Sequence, residues 1–382
     1  MLTKNIGYKN FLQKSKVNTI KKDLDLLVKK SILSQSLKTT YKYSYKKKLI
    51  SKFKNIFNIR IIGMGGSILG AEAIYNFLKH KVKKRLFFVD NLDGDFDKFN
   101  DKKQYLNLII SKSGNTLETI CNSNILIKKK DRNIFITENK NSYLRNLANQ
   151  LKSEIVDHNN FIGGRYSVLS EVGMVPAVLM GFEEKKFKQF NNLIKNNSFK
   201  KKLILNVSNL IELNKKKQNS IILNYDEKSD SFFKWYQQLV AESLGKKSRG
   251  ILPIISTMPK DNHSLMQYFL DGPKQNFYTF FSVNEKGSAK LDNKNLLLNQ
   301  KKFHKKNINE IINAQKNATR NVFLRKKIPF RNFTINQRSE KVIGSLFCFF
   351  ILETILLGKA LNVNPYDQPS VELIKNETKK LF

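Results

Sequence analysis

The sequence predicts an α/β fold with two mainly parallel sheets, each flanked by helices, and with helical extensions at both ends of the chain. From residue 58 onward, short β-rich runs alternate with helical runs, and the alternation resumes after the polar stretch 214–220. The 382 residues also exceed what one hydrophobic core usually supports, so we expect two domains. Because alternating strands and helices imply right-handed crossovers, both sheets should be parallel and covered on both faces.

Four segments follow from this pattern. Residues 1–50 carry apolar side chains at helical spacing among many lysines, and they predict an N-terminal helical arm. We place the first α/β domain at residues 51–212 and the second at residues 213–338. Residues 339–382 form the C-terminal helical segment, which we expect to complete the functional site.

Eight β-rich runs supply the predicted strands. The first domain has runs at 59–63, 85–90, 105–110, 133–137 and 154–158, and the second has runs at 220–225, 251–257 and 277–283. A long polar helix is expected at about 306–326, an apolar helix at 341–358 and a last helix near the C-terminus.

The chain is strongly basic, with 69 Lys and Arg against 31 Asp and Glu and a net charge of +38. The lysines are spread along the whole chain and no recognition motif accompanies them, so solvated surface lysines are the favoured interpretation and no nucleic-acid partner is expected. The positive electrostatic field of such a chain would still attract anionic substrates.

The cysteines and the apolar runs indicate the cellular compartment in which the protein is expected. Cys121 and Cys348 are far apart, which supports neither a disulfide framework nor a cysteine metal site and fits a reducing cytoplasm. The basic N-terminal sequence lacks the apolar stretch of a signal peptide. The 17-residue run Val342–Gly358 is apolar but contains Glu353, whose insertion into a bilayer costs about 2.5–3.5 kcal/mol. We therefore predict a buried core helix and no membrane partner.

Two loops have the composition of anion sites. Residues 63–70 (GMGGSILG) follow a strand and open a helix, so that backbone N–H groups and the helix dipole converge. Residues 111–118 (SKSGNTLE) repeat this arrangement one crossover later, with hydroxyls suited to a phosphate monoester. Each loop alone is also compatible with a tight turn or ordinary helix capping. Two of them at neighbouring strand ends favour a ligand site, because doubly wound sheets bind ligands at that edge.

A third stretch, residues 161–170 (FIGGRYSVLS), places two glycines and Arg165 between an apolar strand and an apolar helix. We expect Arg165 to lie between the two loops upstream and the residues downstream that could transfer protons. An arginine that only pairs a carboxylate at a turn is the structural alternative.

Residues 63–70 and 111–118 resemble the sugar isomerase (SIS) domain. With GGRYSVLSEVG, QQLVAESLGK, KDNHSLMQYFLDGP and NPYDQPSVELIK, the chain resembles the glucose-6-phosphate isomerase family of the bacterial type from about residue 58 onward. The resemblance implies two SIS-like domains, a sugar phosphate substrate, a homodimer, a cytoplasmic enzyme and no metal or other cofactor. The reaction that it implies is aldose-ketose isomerisation between glucose 6-phosphate and fructose 6-phosphate through an enediolate, a step of glycolysis and gluconeogenesis.

The resemblance also assigns roles to individual residues. Glu242 matches the general base, Arg165 the group that stabilises the enediolate, His263 a ring-opening group supplied by the partner subunit, and Lys375 a group near the ring oxygen. The remaining matches are predicted substrate-binding residues: Gly66, Ser67, Ser111, Lys112, Ser113, Asn115, Thr116 and Gln238. Without the family resemblance, Glu242 would more often be a solvated i,i+4 partner of Lys246, and His263 more often a cap or surface residue.

The chain departs from the family pattern at Asn262, Ser370 and Ile374, and the last change puts the helix packing beside Lys375 in doubt. Two other functions remain open at this point. A bifunctional phosphoglucose/phosphomannose isomerase has the same acid-base logic, and a non-catalytic SIS sensor explains the two loops but not Glu242, His263 and Lys375 together.

Overall fold

Two five-stranded sheets form the framework of the protein. The computed structural model describes the chain except residues 12–17, 31, 94, 95, 97–102, 286, 293–301 and 382. The strands are β1 Ile6–Lys9, β2 Asn58–Gly63, β3 Arg85–Val89, β4 Tyr105–Ile110, β5 Arg132–Thr137, β6 Glu154–Asp157, β7 Asn219–Asn224, β8 Leu252–Thr257, β9 Asn276–Val283 and β10 Phe330–Ile335. All eight predicted strands are confirmed.

Helices cover both sheets and fill the space between them. They are α1 Asn18–Lys30, α2 Lys47–Ser51, α3 Leu69–Leu78, α4 Leu117–Leu126, α5 Tyr143–Gln150, α6 Glu171–Leu179, α7 Glu184–Phe187, α8 Phe190–Lys195, α9 Asn197–Asn214, α10 Asp230–Leu244, α11 Met266–Asp271, α12 Ile308–Arg325, α13 Glu340–Ala360 and α14 Pro369–Lys380. Ile61 of β2, Ile222 of β7 and Phe350 of α13 belong to one apolar core, which is therefore continuous between the two sheets. The boundaries of the four predicted segments stay a prediction.

The first sheet is parallel throughout, in the order β3-β2-β4-β5-β6. Every residue of β4 is buried, as the continuous apolar run of a strand covered on both faces predicts. The chain leaves β2 towards β3 and leaves β4 in the opposite direction, towards β5. Gly63 at the end of β2 pairs in register with Ile110 at the end of β4, so the loops that follow these strands lie side by side.

The second sheet has the order β1-β10-β9-β7-β8, in which only the edge strand β1 is antiparallel. Neither β1 nor β10 was predicted. The prediction of a wholly helical N-terminal arm is wrong for residues 6–9, because Ile6 is fully buried opposite Ile335. It holds for α1, and residues 12–17 and 31 lie outside the described part of the chain.

Helix α13 is the core helix of the molecule. It is long and apolar enough to cross a bilayer by length and composition, and it is the one such helix among the described residues. Residues 342–358 are all buried inside the protein, with Phe347 packed edge-on against Trp235 at 4.7 Å between ring centroids. The prediction of a buried core helix is confirmed.

The carboxylate of Glu353 inside α13 is satisfied by a buried polar network. Its oxygens pair with the guanidinium of Arg331 on β10, and both side chains are fully buried. Tyr236 Oη donates to Glu353 Oε1 at 3.0 Å and Asn206 Nδ2 donates to Oε2 at 2.5 Å. The network joins α9, α10, α13 and β10. A buried charge is tolerated only where it is paired and hydrogen-bonded, and these four side chains meet that requirement for Glu353 and Arg331.

Replacing Glu353 with Ala should lower the free energy of unfolding by about 3–5 kcal/mol, because Arg331 would be left as an uncompensated buried charge. The change is measured by urea denaturation, and the slope of the free energy of unfolding against urea concentration should be the same for the variant and the original protein. Glu212→Ala is the matched control, since Glu212 forms an exposed pair with Lys215 and should cost about 0–1 kcal/mol. Equal losses in the two variants would contradict the assigned role of the network.

Candidate active site

The glycine loop after β2 is enclosed by two other parts of the chain. Residues Gly65–Ser67 form a 3₁₀ turn, and Gly65 has a positive φ of 52°. A Cβ on Gly65 would lie 2.7 Å from Nε2 of Gln238, and one on Gly66 would lie 2.2 Å from the carbonyl carbon of Gly164. Gly66 has no room for a side chain, because the backbone leading into Arg165 lies against it, and the positive φ of Gly65 favours glycine there.

Arg165 lies at the start of the 3₁₀ helix Gly164–Leu169 and is almost fully buried, with 3% of its surface exposed. All five of its N–H donors have an acceptor. Nε donates to Ser243 Oγ (2.8 Å), Nη1 to Glu242 Oε1 (2.8 Å) and Gln368 Oε1 (2.9 Å), and Nη2 to the carbonyl oxygens of Pro365 (2.8 Å) and Asp367 (3.0 Å). The guanidinium is thereby fixed in position and orientation.

Glu242 is held at both carboxylate oxygens. Oε1 accepts from Arg165, and Oε2 accepts from Nε2 of Gln238 at 3.0 Å, one helical turn earlier on α10. The Glu242 side chain is 23% exposed, whereas that of Arg165 is 2% exposed. The site thus presents an oriented carboxylate that a ligand can reach. Lys246 pairs instead with Asp367 Oδ1 at 2.7 Å, so the alternative of a Glu242–Lys246 surface pair is wrong.

The hydroxyl loop after β4 is organised by its own side chains. Ser111 Oγ and Thr116 Oγ1 are 2.8 Å apart, and the backbone N–H groups of Gly114 and Asn115 donate to Ser111 Oγ and Ser113 Oγ, each at 3.2 Å. Thr116 precedes α4 but its side chain does not cap the helix, so capping does not account for this residue. The loop and the helix N-terminus lie beside the glycine loop, a position suited to an anion.

Two of the predicted binding residues in this loop have structural partners. Nζ of Lys112 donates to the carbonyl of Asn160 at 2.7 Å and lies 3.6 Å from Glu138, and burial lowers the pKa of Lys112. Oδ1 of Asn115 accepts from the backbone N–H of Tyr143 at 2.9 Å. These side chains tie the loop to its surroundings.

His263 and Lys375 do not join this cluster within the chain. His263 is exposed at the end of the 3₁₀ helix Lys260–His263. Lys375 lies on α14, which has no buried residue, and pairs with Glu372 at 2.7 Å. Ile374 is 71% exposed, so its departure from the family pattern disturbs no packing in this chain.

The sequence prediction missed the residues that hold Arg165, namely Ser243, Tyr166 and Gln368. Tyr166 Oη lies 2.9 Å from Ser243 Oγ and donates to the Pro365 carbonyl at 2.9 Å, and burial raises the pKa of Tyr166 to about 12. Adjacency in the sequence is the signal that could have identified two of them, since Ser243 follows Glu242 and Tyr166 follows Arg165. No group of three or more His, Cys, Asp or Glu side chains with metal-binding geometry occurs among the residues that the structure describes.

Comparison with known proteins places this geometry in a family. The family model described as phosphoglucose isomerase matches residues 33–255. A glucose-6-phosphate isomerase of Methanocaldococcus jannaschii is 32% identical over 85% of this chain and 84% of its own, and that of Campylobacter jejuni is 30% identical over 83% of each chain.

Solved structures have the same fold. A hypothetical protein from Thermus thermophilus superposes with a TM-score of 0.82 at 20% identity, covering 95% of this chain and 94% of its own. A glucose-6-phosphate isomerase from Chlamydia trachomatis gives a TM-score of 0.73 at 19% identity, covering 95% and 83%. Since the family model spans more than half of the chain and relatives of about 30% identity span most of it, the chain belongs to the phosphoglucose isomerase family.

Proposed function

We propose that the protein interconverts glucose 6-phosphate and fructose 6-phosphate through an enediolate intermediate in the cytoplasm. The names of two relatives, both glucose-6-phosphate isomerases, support the reaction. The observation that carries this proposal is the Glu242 carboxylate, which is oriented by Arg165 and Gln238 and still reachable beside two anion-binding loops. Neither a nucleic acid nor a membrane is needed for this function.

The phosphate is expected to bind at the loop after β4 and the start of α4, through Ser111, Ser113 and Thr116, with Ser67 contributing from the neighbouring loop. This anchor lies away from the reacting carbons. Its binding energy therefore serves to position C1 and C2 of the sugar against Glu242.

Proton transfer then occurs at one face of the open-chain sugar. Glu242 takes the proton from C2 of the aldose and the electron pair of that C–H bond forms the C1–C2 double bond, which moves charge onto the oxygen at C1. Glu242 returns the proton to C1, while the hydroxyl proton at O2 is lost and one is gained at O1, giving the ketose. A positioned base of this kind contributes a factor of about 10²–10⁴.

Arg165 is expected to stabilise the enediolate through Nη1. Its Nε and Nη2 are bound to buried or backbone partners, whereas the two partners of Nη1, Glu242 and Gln368, are partly exposed. A substrate oxygen that takes the place of Gln368 would meet a permanently charged donor whose other bonds keep it fixed.

Ring opening requires groups that this chain does not bring to Glu242. We infer a homodimer in which His263 reaches the partner's site, because His263 is exposed and is flanked by the exposed apolar residues Leu265 and Tyr268. Lys375 would reach the ring oxygen when α14 packs over the substrate. Its contact with Glu372 is an exposed i,i+3 pair, which is weak and does not oppose that movement.

Replacing Glu242 with Gln should lower kcat by about 10²–10⁴-fold, because the amide cannot accept the C2 proton. Turnover is measured in a coupled assay that starts from fructose 6-phosphate, and binding of the product to the variant is measured by calorimetry. Glu212→Gln, which removes an exposed carboxylate on α9, serves as the control. A kcat within twofold of the original protein would exclude Glu242 as the base.

Replacing Gly66 with Ala should lower kcat/KM by at least about tenfold, because the new Cβ would lie 2.2 Å from Gly164 and must displace the backbone that carries Arg165. Gly164→Ala is the matched control, since a Cβ there has no atom within 4 Å. Similar kinetics for the two variants would show that the close approach at Gly66 is not needed.

Mixing the inactive variants Glu242→Gln and His263→Gln should restore about a quarter of the original activity after subunit exchange. Half of the dimers are then mixed, and one of the two sites in each mixed dimer has both an intact glutamate and an intact partner histidine. Light scattering should give about twice the chain mass of 44.4 kDa. An inactive mixture of exchanged dimers would place His263 in its own subunit's site.

A further inference from the structure

A second crevice lies at the carboxyl ends of β9 and β10, where residues 283–285 and 336–338 line it, and Lys228 reaches it from the segment after β7. It lies next to the reversal in the order of the second sheet, since β7 leads through α10 to β8 on one side and β9 leads through α12 to β10 on the other. Ligands in open α/β sheets bind outside the carboxyl ends of the strands, which is the edge that the two loops occupy in the first sheet. The cavity here has a volume of about 530 Å³, within the usual range for small-molecule sites.

Arg338 forms the charged floor of this crevice. Its side chain is 5% exposed, Nε donates to Glu285 at 2.5 Å, and Nη2 pairs with Asp226. Nη1 is buried and has no hydrogen-bond partner among the described residues. A buried charged donor without an acceptor is costly, so this nitrogen is the position at which an incoming acceptor would gain most.

The rim of the crevice is cationic. His80, Lys81 and Lys228 line it, and two of them are paired, Lys81 with Glu340 at 3.0 Å and Lys228 with Glu285 at 3.1 Å. The pKa of His80 is lowered, first by burial and then by Lys81, Arg338 and Lys228, while Glu285 opposes them. Three cations, Lys81, Lys228 and Arg338, therefore surround the crevice, and an anion bound there would meet them.

Side-chain amides supply the rest of the polar lining. Asn5, Asn284, Asn336 and Gln337 face the cavity, and Nδ2 of Asn284 donates to Oδ1 of Asn336 at 3.1 Å. Amides both donate and accept, which suits hydroxyl groups. The lining thus combines an anion-binding floor with hydroxyl-binding walls.

We propose that this crevice is a second binding site, for a phosphorylated polyol, separate from the active site. The phosphate would bind to Nη1 of Arg338 and to Lys228 and Lys81, and the hydroxyls would bind to the amides. The site draws on none of the residues assigned to isomerisation.

The test uses sorbitol 6-phosphate and inorganic phosphate as probes and the ring protons of His80 as reporter. The chain has four histidines, so the His80 signal is assigned by its loss in His80→Gln. Titrations are run on the Ser113→Ala/Thr116→Ala variant, in which binding at the active-site loop is weakened, and sodium chloride is used at matched ionic strength.

Sorbitol 6-phosphate should raise the pKa of His80 saturably, because a nearby anion favours the charged imidazole, and inorganic phosphate should do so more weakly. Lys228→Gln, an exposed rim change, should weaken binding about fivefold or more, and Arg338→Gln about tenfold or more, while Lys201→Gln on α9 should have no effect. The Lys228 variant keeps the test valid if the Arg338 variant fails to fold.

Three results would overturn the proposal: an unchanged His80 pKa at saturating probe, a change that sodium chloride reproduces, or equal affinities in Lys228→Gln and Lys201→Gln. An inactive enzyme with a normal His80 response would instead count against the proposed isomerase function and leave the second site standing.

Discussion

The five hydrogen bonds of Arg165 are the interaction on which the active site depends. They join the 3₁₀ helix that follows the first sheet, α10 of the second, and the segment that leads into α14. Because a guanidinium presents its donors in a rigid plane, acceptors from two parts of the chain fix its orientation together. The Glu242 carboxylate is oriented in turn, since one of its oxygens accepts a hydrogen bond from Arg165.

The glycine loop after β2 lies very close to the residues around Arg165 and Glu242. The glycine loop fits between Gln238 and Gly164 only because Gly65 and Gly66 have no side chain. The same loop begins at Gly63, in register with the end of β4, so the two loops proposed to bind the phosphate and the Arg165–Glu242 pair share one edge of the sheet. Strand order therefore decides where the chemistry is placed.

Much of this could be predicted from the sequence, because the signals are local. The glycine loop, the hydroxyl loop and eight strands follow from short runs of residue types, and the family resemblance marks Arg165, Gln238 and Glu242. The acceptors of Arg165 could not be predicted from local pattern, because Ser243 and Gln368 lie 78 and 203 residues away along the chain. The strand β10 was missed for a similar reason. Arg331, the second residue of β10, is compatible with a buried strand only because Glu353 neutralises it from α13.

The residues of the proposed acid-base mechanism fall into two groups, one fixed within the chain and one that would have to be brought to the site. Glu242 and Arg165 are held by buried partners in one chain, whereas His263 is exposed and Lys375 lies on a helix without a buried residue. Leu373 and Ile374 beside Lys375 are 67% and 71% exposed, and burying them against a substrate-bound site would favour closure by α14. In the proposed mechanism, the base and the oxyanion-stabilising arginine are thus preorganised before substrate arrives, and the ring-opening groups would join only when a partner subunit and a bound sugar are present.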